Sequence, residues 1–475
     1  MAKKKDKIKI FFVGEAANDV TGSSIWIQTP DRQILLECGL FQSCGSTLET
    51  YKVNNKHFEF KPKNIDYLFC LHNHSDHIAL SPRLYAKGCT APMIMPQGSY
   101  EIAEILLRDS ANIMRADAEE LSLKFKRDYA PIYTDSDVNM CLQHYTEYPI
   151  GDIIQLDEYV KFRFVPSGHI LNSAQIELWI TCGNLTKKIV YTSDLGNVHI
   201  KKYYANTFEP IKRADILIGE TTYARQPKIA DAKMREKDLE KLESVIRQTC
   251  CEDRARILIP VFANDRAQNM LTYLYDTFGN DEAFDIPVLI DSPMAIRCCK
   301  AYSCMLDGED AKKWETVLQW KNIHLVEDSV ESKEWRDANI PVVVLASSGM
   351  IVKGRSTGWA CSMLPKVKDR IVFCGFSAEG SIGAIIKEGK QKTITISGKK
   401  CVNKCQVTNL MSFSSHAQRD TLLDYYSSVQ CEKIILVHGE MSGKLDFAKE
   451  LQEKIFNNDN TGKVVVAQRG YELSI

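Results

Sequence analysis

Short, nearly continuous apolar runs alternate with polar, small-residue turns along most of the chain, the pattern of strands buried on both faces. Residues 8–13 are apolar, 14–24 are rich in Gly, Asn and Ser, and 25–28 and 34–38 are apolar again around a Pro30-Asp31 turn. The run 65–71 predicts a buried strand that ends at His72-Asn73-His74-Ser75-Asp76-His77. Ile102, Ile105, Leu106 and residues 109–113 recur at three-to-four spacing behind Ser99, a candidate N-cap, and predict a helix. Residues 160–165, 174–180 and 189–192 read as successive strands. From Thr222 the rhythm changes. A charged helical segment at 233–248, a strand at 257–261 and a helix at 268–275 precede buried-type strands at 287–290, 341–346 and 371–375. Each of those strands runs into a polar turn, as in a parallel βαβ sheet. The chain closes with a strand at 434–437, a helix near 444–456 and a strand at 464–467.

Composition narrows the class. The 475 residues carry 44% hydrophobic and 25% charged positions, which excludes a largely disordered chain and allows two to four domains. No apolar run reaches the roughly 18 residues of a membrane span, and the Lys-rich start leads into a strand without a signal peptide. The 16 cysteines are too dilute for a disulfide scaffold, and several sit inside apolar runs (Cys70, Cys374), so the cytoplasm is the expected compartment. Sixty Lys+Arg against 61 Asp+Glu looks unsuited to nucleic acid, but the total conceals two opposed segments. Residues 353–404 hold 11 Lys+Arg and 3 Asp+Glu, while residues 276–337 hold 7 and 14. The basic stretch is a candidate track for a polyanion, against the plainer reading of a solvated face.

The strongest chemical signal is His72-x-His74-x-Asp76-His77 directly after a buried strand. A strand end followed by a turn lets such side chains converge, and imidazoles with carboxylates are good zinc ligands. His169 lies in Pro166-Ser167-Gly168-His169 just before a strand, and Asp194 in Thr192-Ser193-Asp194-Leu195-Gly196 just after one. With these residues the chain resembles the metallo-β-lactamase fold, a four-layer αββα sandwich. Its later motifs resemble the β-CASP branch of RNA-processing nucleases. Glu220 in Gly219-Glu220-Thr221-Thr222-Tyr223 matches motif A, His416 in Phe413-Ser414-Ser415-His416-Ala417 motif B, and His438 in Leu436-Val437-His438-Gly439-Glu440 motif C. Further family-like runs are Asp291-Ser292-Pro293-Met294-Ala295, Ala346-Ser347-Ser348-Gly349-Met350 and Gly375-Phe376-Ser377-Ala378-Glu379-Gly380. Six of the ten histidines fall on motif positions.

The resemblance implies two zinc ions per chain: His72, His74 and His169 on one, Asp76, His77 and His438 on the other, and Asp194 bridging. It implies hydrolysis of RNA by a hydroxide shared between the metals, attacking in line, with Asp76 orienting it or taking its proton. His416 backed by Glu220 would protonate the leaving 3′ oxygen, because a neighbouring carboxylate favours the imidazolium; the products would carry 5′-phosphate and 3′-hydroxyl ends. Arg266, Ser347, Ser348, Gly349 and Ser377 are the expected substrate contacts, with single-stranded RNA as partner, no membrane, and a homodimer left open. Endo- and exonuclease action are both compatible with this pattern.

Glu37 stands where the family usually has Asp and would orient a ligand histidine with a side chain one methylene longer. Asp265 precedes Arg266 where Gly-Arg is usual, and a carboxylate there would weaken any phosphate contact by Arg266. The motif order implies a metallo-β-lactamase domain at 1–221 and 411–475 with an α/β, parallel-sheet β-CASP insertion at 222–410. The form expected from the resemblance is the compact, prokaryote-like one, without a KH module or a ribonuclease J-type C-terminal domain. A small-molecule zinc hydrolase, such as a thioesterase, leaves the insertion and the Glu220/His416 pair without a purpose. A catalytically weak RNA-binding homologue would be expected to lack ligands that this chain retains. His57, His144, His199 and His324, and the pair Cys401 and Cys405, read as structural.

Overall fold

The computed structural model describes residues 7–42, 46–200, 202–225, 231–375, 377–378, 380–458 and 462–475. The Lys-rich start at 1–6, and Phe376 and Glu379 of the 375–380 run, lie outside the described residues. The chain divides into two units, one from 1–198, 205–228 and 416–475, the other from 199–204 and 229–415.

The first unit holds two seven-stranded sheets. One has the order Glu472–Ser474, Lys9–Phe12, Ile25–Gln28, Gln33–Leu36, Tyr67–Phe69, Met93–Pro96, Tyr145–Tyr148. The other runs Lys463–Val466, Lys433–Val437, Ile216–Glu220, Leu185–Tyr191, Ala174–Cys182, Val160–Pro166, Ile153–Gln155. Strand alternation sorts each sheet's side chains to two faces. Ile10, Ile34 and Phe69 share one core with Phe162, Ile176, Ile216 and Ile435 from the opposite sheet, and the Phe69 and Phe162 rings meet edge-on at 5.0 Å. The intervening residues Leu217, Ile434 and Leu436 point the other way, into Leu422 and Tyr426 of helix Arg419–Ser428 and Phe447 and Leu451 of helix Met441–Asn457. Behind the first sheet, Cys141 of helix Asp135–Leu142 touches Met93, with Sγ and Sδ 3.6 Å apart. Each such fully buried apolar side chain contributes about 1.5–3 kcal/mol of transfer free energy.

The expected layered α/β fold is therefore present, with differences in detail. Tyr100–Phe125 is a 26-residue helix, far longer than its periodic core suggests. Ser99 precedes it but makes no side-chain cap; Glu147 Oε1 accepts the N–H groups of Ser99 and Tyr100 at 2.8 and 3.0 Å instead.

The second unit is built on a six-stranded sheet in the order Ile323–Leu325, Val288–Asp291, Val342–Ala346, Arg256–Pro260, Arg370–Phe373, Gln406–Asn409. Every pairing in it is parallel, as the apolar runs predict. Its strands are buried on both faces: Val342 and Val344 join a core with Trp359, Met363 and Ile386, and Val343 and Leu345 are buried opposite. Strands Thr393–Ile396 and Lys399–Val402 form a separate antiparallel hairpin whose Ile394, Ile396 and Cys401 pack on that same core. Among the described residues no helix is long and apolar enough to cross a membrane.

Candidate metal centre

In the first unit the strands Leu185–Tyr191, Ile216–Glu220 and Lys433–Val437 are parallel neighbours. Their carboxyl ends deliver Asp194, Glu220 and His438 to one place, the end of a parallel sheet where ligands are usually met. Strand Tyr67–Phe69 of the other sheet leads to His72, His74 and the single helical turn Ser75–Ile78, which carries Asp76 and His77. His169 comes from the connection between Val160–Pro166 and Ala174–Cys182.

These side chains converge in two groups about Asp194. On one side His72 Nε2 lies 3.2 Å from His74 Nδ1, and His169 Nε2 lies 3.3 Å from that same nitrogen. Asp194 Oδ2 is 3.6 Å from His72 Nε2 and 3.5 Å from His169 Nε2. On the other side Asp194 Oδ1 is 3.4 Å from both His77 Nε2 and His438 Nδ1, and Asp76 Oδ2 is 3.4 Å from His438 Nε2 and 3.8 Å from His77 Nε2. The carboxylate of Asp194 thus turns one oxygen to each group.

The donor set fits zinc. Bonds of about 2.0–2.1 Å to a tetrahedral ion set ligand-to-ligand edges of about 3.3–3.4 Å, close to the spacings in both groups. His77 Nε2 and Asp194 Oδ1 are buried without a hydrogen bond, an expensive arrangement unless a cation shares them.

Hydrogen bonds behind the ligands set the tautomers. Glu37 Oε2 lies 3.0 Å from His77 Nδ1, so that nitrogen keeps its proton and Nε2 is the one turned toward the cluster. Glu37 Oε1 accepts the Ser193 hydroxyl at 3.0 Å and the Leu71 N–H at 3.3 Å. Ser193 has one proton, already given to Glu37, so His72 Nδ1 donates to Ser193 Oγ across 3.1 Å and His72 Nε2 is left bare. Glu37, which is buried, therefore aims one histidine of each group, directly and through Ser193. The cluster of Glu37, His72 and His77 is this relay rather than a third metal position.

The electrostatics of the two groups differ. Burial pulls the imidazoles of His72 and His169 well below their ordinary range and lowers His74. Burial acts against the charge on His77 and His438 as well, but Asp194 and the neighbouring carboxylates outweigh it and hold both imidazoliums above the ordinary range. Burial alone would raise Asp194, yet His438 and His77 keep it well below the usual carboxylate range. Desolvation raises Glu37, with His77 opposing.

His416 Nδ1 sits 3.8 Å from Glu220 Oε1 and 3.9 Å from Asp194 Oδ2. Glu220 is buried and is itself fixed, accepting the N–H of Leu195 at 3.1 Å and of Thr222 at 2.8 Å. Thr222 Oγ1 also contacts His438 Nδ1 at 3.0 Å. The loop at 14–24 supports the same place: Ala16 O accepts from His438 N at 2.7 Å and Ser23 N donates to Asp76 O at 2.8 Å. Nothing in the sequence singles out Ser193 or Thr222. Their contacts are long-range, and only the motifs around them hint at a role.

The expected substrate contacts belong to the second unit. Arg266 donates to Cys374 O at 3.0 Å and Ser415 Oγ at 3.1 Å. Ser348 Oγ accepts the Val352 N–H at 3.1 Å, Gly349 lies so close to Phe262 that a β-carbon would meet the ring at 3.1 Å, and the hydroxyls of Ser347 and Ser377 are buried without a hydrogen bond. Among the described residues no cysteine belongs to a cluster at metal-ligand distance.

Residues 267–386 match the Beta-Casp domain family, and residues 403–461 match the Zn-dependent metallo-hydrolase RNA specificity domain. The chain is 29% identical over 442 residues to ribonuclease TTHA0252 of Thermus thermophilus, covering 92% of this chain and 94% of that protein. The chain thus carries a Beta-Casp domain and is similar over nearly its whole length to a protein named as a ribonuclease. It is also 29% identical over 461 residues to transcription termination factor FttA of Methanocaldococcus jannaschii, covering 93% and 68% respectively. A crystal structure of a protein of unknown function from Enterococcus faecalis superposes with a TM-score of 0.53 at 12% identity, covering 99% of this chain and 100% of that one, a likeness of fold alone. The match at 403–461 is to a Zn-dependent family, consistent with zinc binding at the His/Asp clusters.

Proposed function

We propose that this β-CASP protein is a cytoplasmic zinc-dependent ribonuclease that hydrolyses phosphodiester bonds of single-stranded RNA, leaving 5′-phosphate and 3′-hydroxyl ends. The observation that carries this reading is the division of Asp194, one oxygen toward His72, His74 and His169 and the other toward His77 and His438. His72, His74 and His169 would hold one zinc ion, Asp76, His77 and His438 a second, with Asp194 between them. Zinc there supplies Lewis acidity: water activated near neutral pH and charge offset at the phosphoryl oxygens.

The chain's own groups do the rest. Asp76 orients the attacking water or takes its proton; its side chain keeps 18% exposure while His77 beside it has none. His416 gives a proton to the leaving 3′ oxygen, with the buried Glu220 carboxylate 3.8 Å from its Nδ1. Arg266 and the turns at Ser347, Ser348, Gly349 and Ser377 contact phosphates, and the basic stretch at 353–404 adds longer-range attraction.

The test uses the zinc-loaded protein with 5′- and 3′-labelled single-stranded RNA and matching DNA. Metal-dependent RNA cleavage with 5′-phosphate products is expected. Absence of cleavage, or 2′,3′-cyclic ends, contradicts the proposal. His416→Ala is expected to retain zinc while losing at least about a hundredfold in kcat, as removal of a general acid does.

A further inference from the structure

The first unit contains a cavity of about 70 Å³, lined by residues of the loop at 14–24, the segment at 53–60, Arg83 and Arg469. A single water needs roughly 10–15 Å³ of such space, so the cavity has room for a small polyatomic ion. None of the candidate metal ligands borders it.

Arg83 is the unusual residue in its wall. It is only 4% exposed. Its Nη2 donates to Asn55 O at 3.0 Å and its guanidinium stands 4.9 Å from the centre of the Phe58 ring. Its Nε–H, however, is buried and meets no acceptor among the described residues. Arginine is seldom buried without a carboxylate, because a desolvated charge is expensive to leave unpaired. Here burial pulls the guanidinium down from its ordinary value. Cys38, the group that opposes this shift, is itself pushed well up by burial and remains a neutral thiol.

The carboxylates of the cavity are committed to other cations. Glu15 Oε1 accepts from Arg469 Nη1 at 2.7 Å and from Lys56 Nζ at 3.3 Å, and Glu59 Oε1 accepts from Arg469 Nη2 at 2.9 Å. Lys56 and Arg469 therefore balance Glu15 and Glu59, and the charge of Arg83 is left over. Along the same wall, the backbone N–H groups of His57, Phe58, Glu59 and Phe60 donate to no other group among the described residues, so they remain available as further donors.

We propose that this cavity binds a phosphate oxyanion, either free or carried on a nucleotide, with the Nε–H of Arg83 as its principal donor. A cation would add to the surplus charge, and an apolar guest would leave the Nε–H unpaired. A phosphate supplies negative charge against the guanidinium and acceptors in several directions, which suits donors spread along one wall.

The test uses the full-length, zinc-loaded protein at constant ionic strength, and reads the site itself, because phosphate could also meet the metal centre. The Nε–H NMR signal of Arg83, assigned through Arg83→Lys, is followed as inorganic phosphate or a nucleoside 5′-monophosphate is added against a chloride control. A saturable shift absent with chloride is expected. Equal response to both ligands identifies the phosphate group alone as the ligand, and a response to the nucleotide alone identifies a nucleotide; either supports the site. The methyl signals of Leu80, which lines the same cavity, give a second readout. Their response to phosphate is expected to weaken at least about tenfold in apparent Kd in Arg83→Gln, as loss of a charged hydrogen bond does. An Arg83 signal that neither ligand moves, or a Leu80 response unchanged in Arg83→Gln, overturns the proposal. Should Arg83→Gln fail to fold, the Arg83 signal of the parent protein decides alone. No RNA enters the experiment, so its outcome is independent of the proposed ribonuclease activity.

Discussion

The two ligand groups around Asp194 have similar spacing and opposite charge preference. His72, His74 and His169 face one another, and burial outweighs the nearby carboxylates, Asp194 and, at His74, Asp76, so their imidazoles are held toward the neutral form. His77 and His438 stand among Asp76, Asp194 and Glu37, so in the metal-free protein they hold protons to higher pH than an ordinary histidine. Zinc ions bound as proposed would meet unprotonated imidazoles on one side and would have to displace protons on the other. Ligand identity alone therefore does not set affinity, because the surrounding carboxylates decide how strongly protons compete.

The sharpest way to break that comparison is to remove what the groups share. Asp194→Asn is expected to cost both zinc ions and to lower RNA cleavage by more than about a thousandfold. Loss of a single ion, measured by elemental analysis, would show that Asp194 serves one group only. Next, His169→Ala and His438→Ala should each lose one zinc ion and nearly all activity, and equal loss of both ions in either variant would mean the groups are not separable.

A pH series sharpens the contrast. The raised imidazoliums of His77 and His438 are protonated already above the ordinary histidine value of about 6.5, whereas the depressed His72, His74 and His169 accept protons only below it. As pH falls, zinc should therefore leave the Asp76/His77/His438 group first. Zinc retention measured by dialysis from pH 8 to pH 5 is expected to show two steps, and a single step contradicts the unequal proton competition.

The smallest effects concern the groups behind the ligands. Glu37→Gln is expected to weaken zinc about 10- to 100-fold, more at His77, which it touches, than at His72, which it reaches through Ser193. Ser193→Ala should weaken only the His72 group. The reverse ranking would contradict the relay.

Much of this is legible in the sequence because its signals are local. The run 65–71 and the histidines after it sit on one strand and one turn, and the strands of the second unit are apolar on both faces, so their runs stand out. Long-range contacts leave no such trace. Ser193 acquires its role by facing Glu37 across the first unit, and Thr222 by facing His438. Asp265 reads as a liability beside Arg266, yet its carboxylate meets Ser415, 150 residues away in the chain. Helices Gly308–Leu318 and Ser329–Ala338 escape a reading of the sequence because charged residues dominate them and leave few apolar positions to count.

The most direct measurement is a zinc titration of metal-free protein, following cleavage of a labelled single-stranded RNA at each step. The account predicts that activity rises to a plateau at two equivalents per chain. A plateau at one equivalent, or no cleavage at any zinc level, would contradict it.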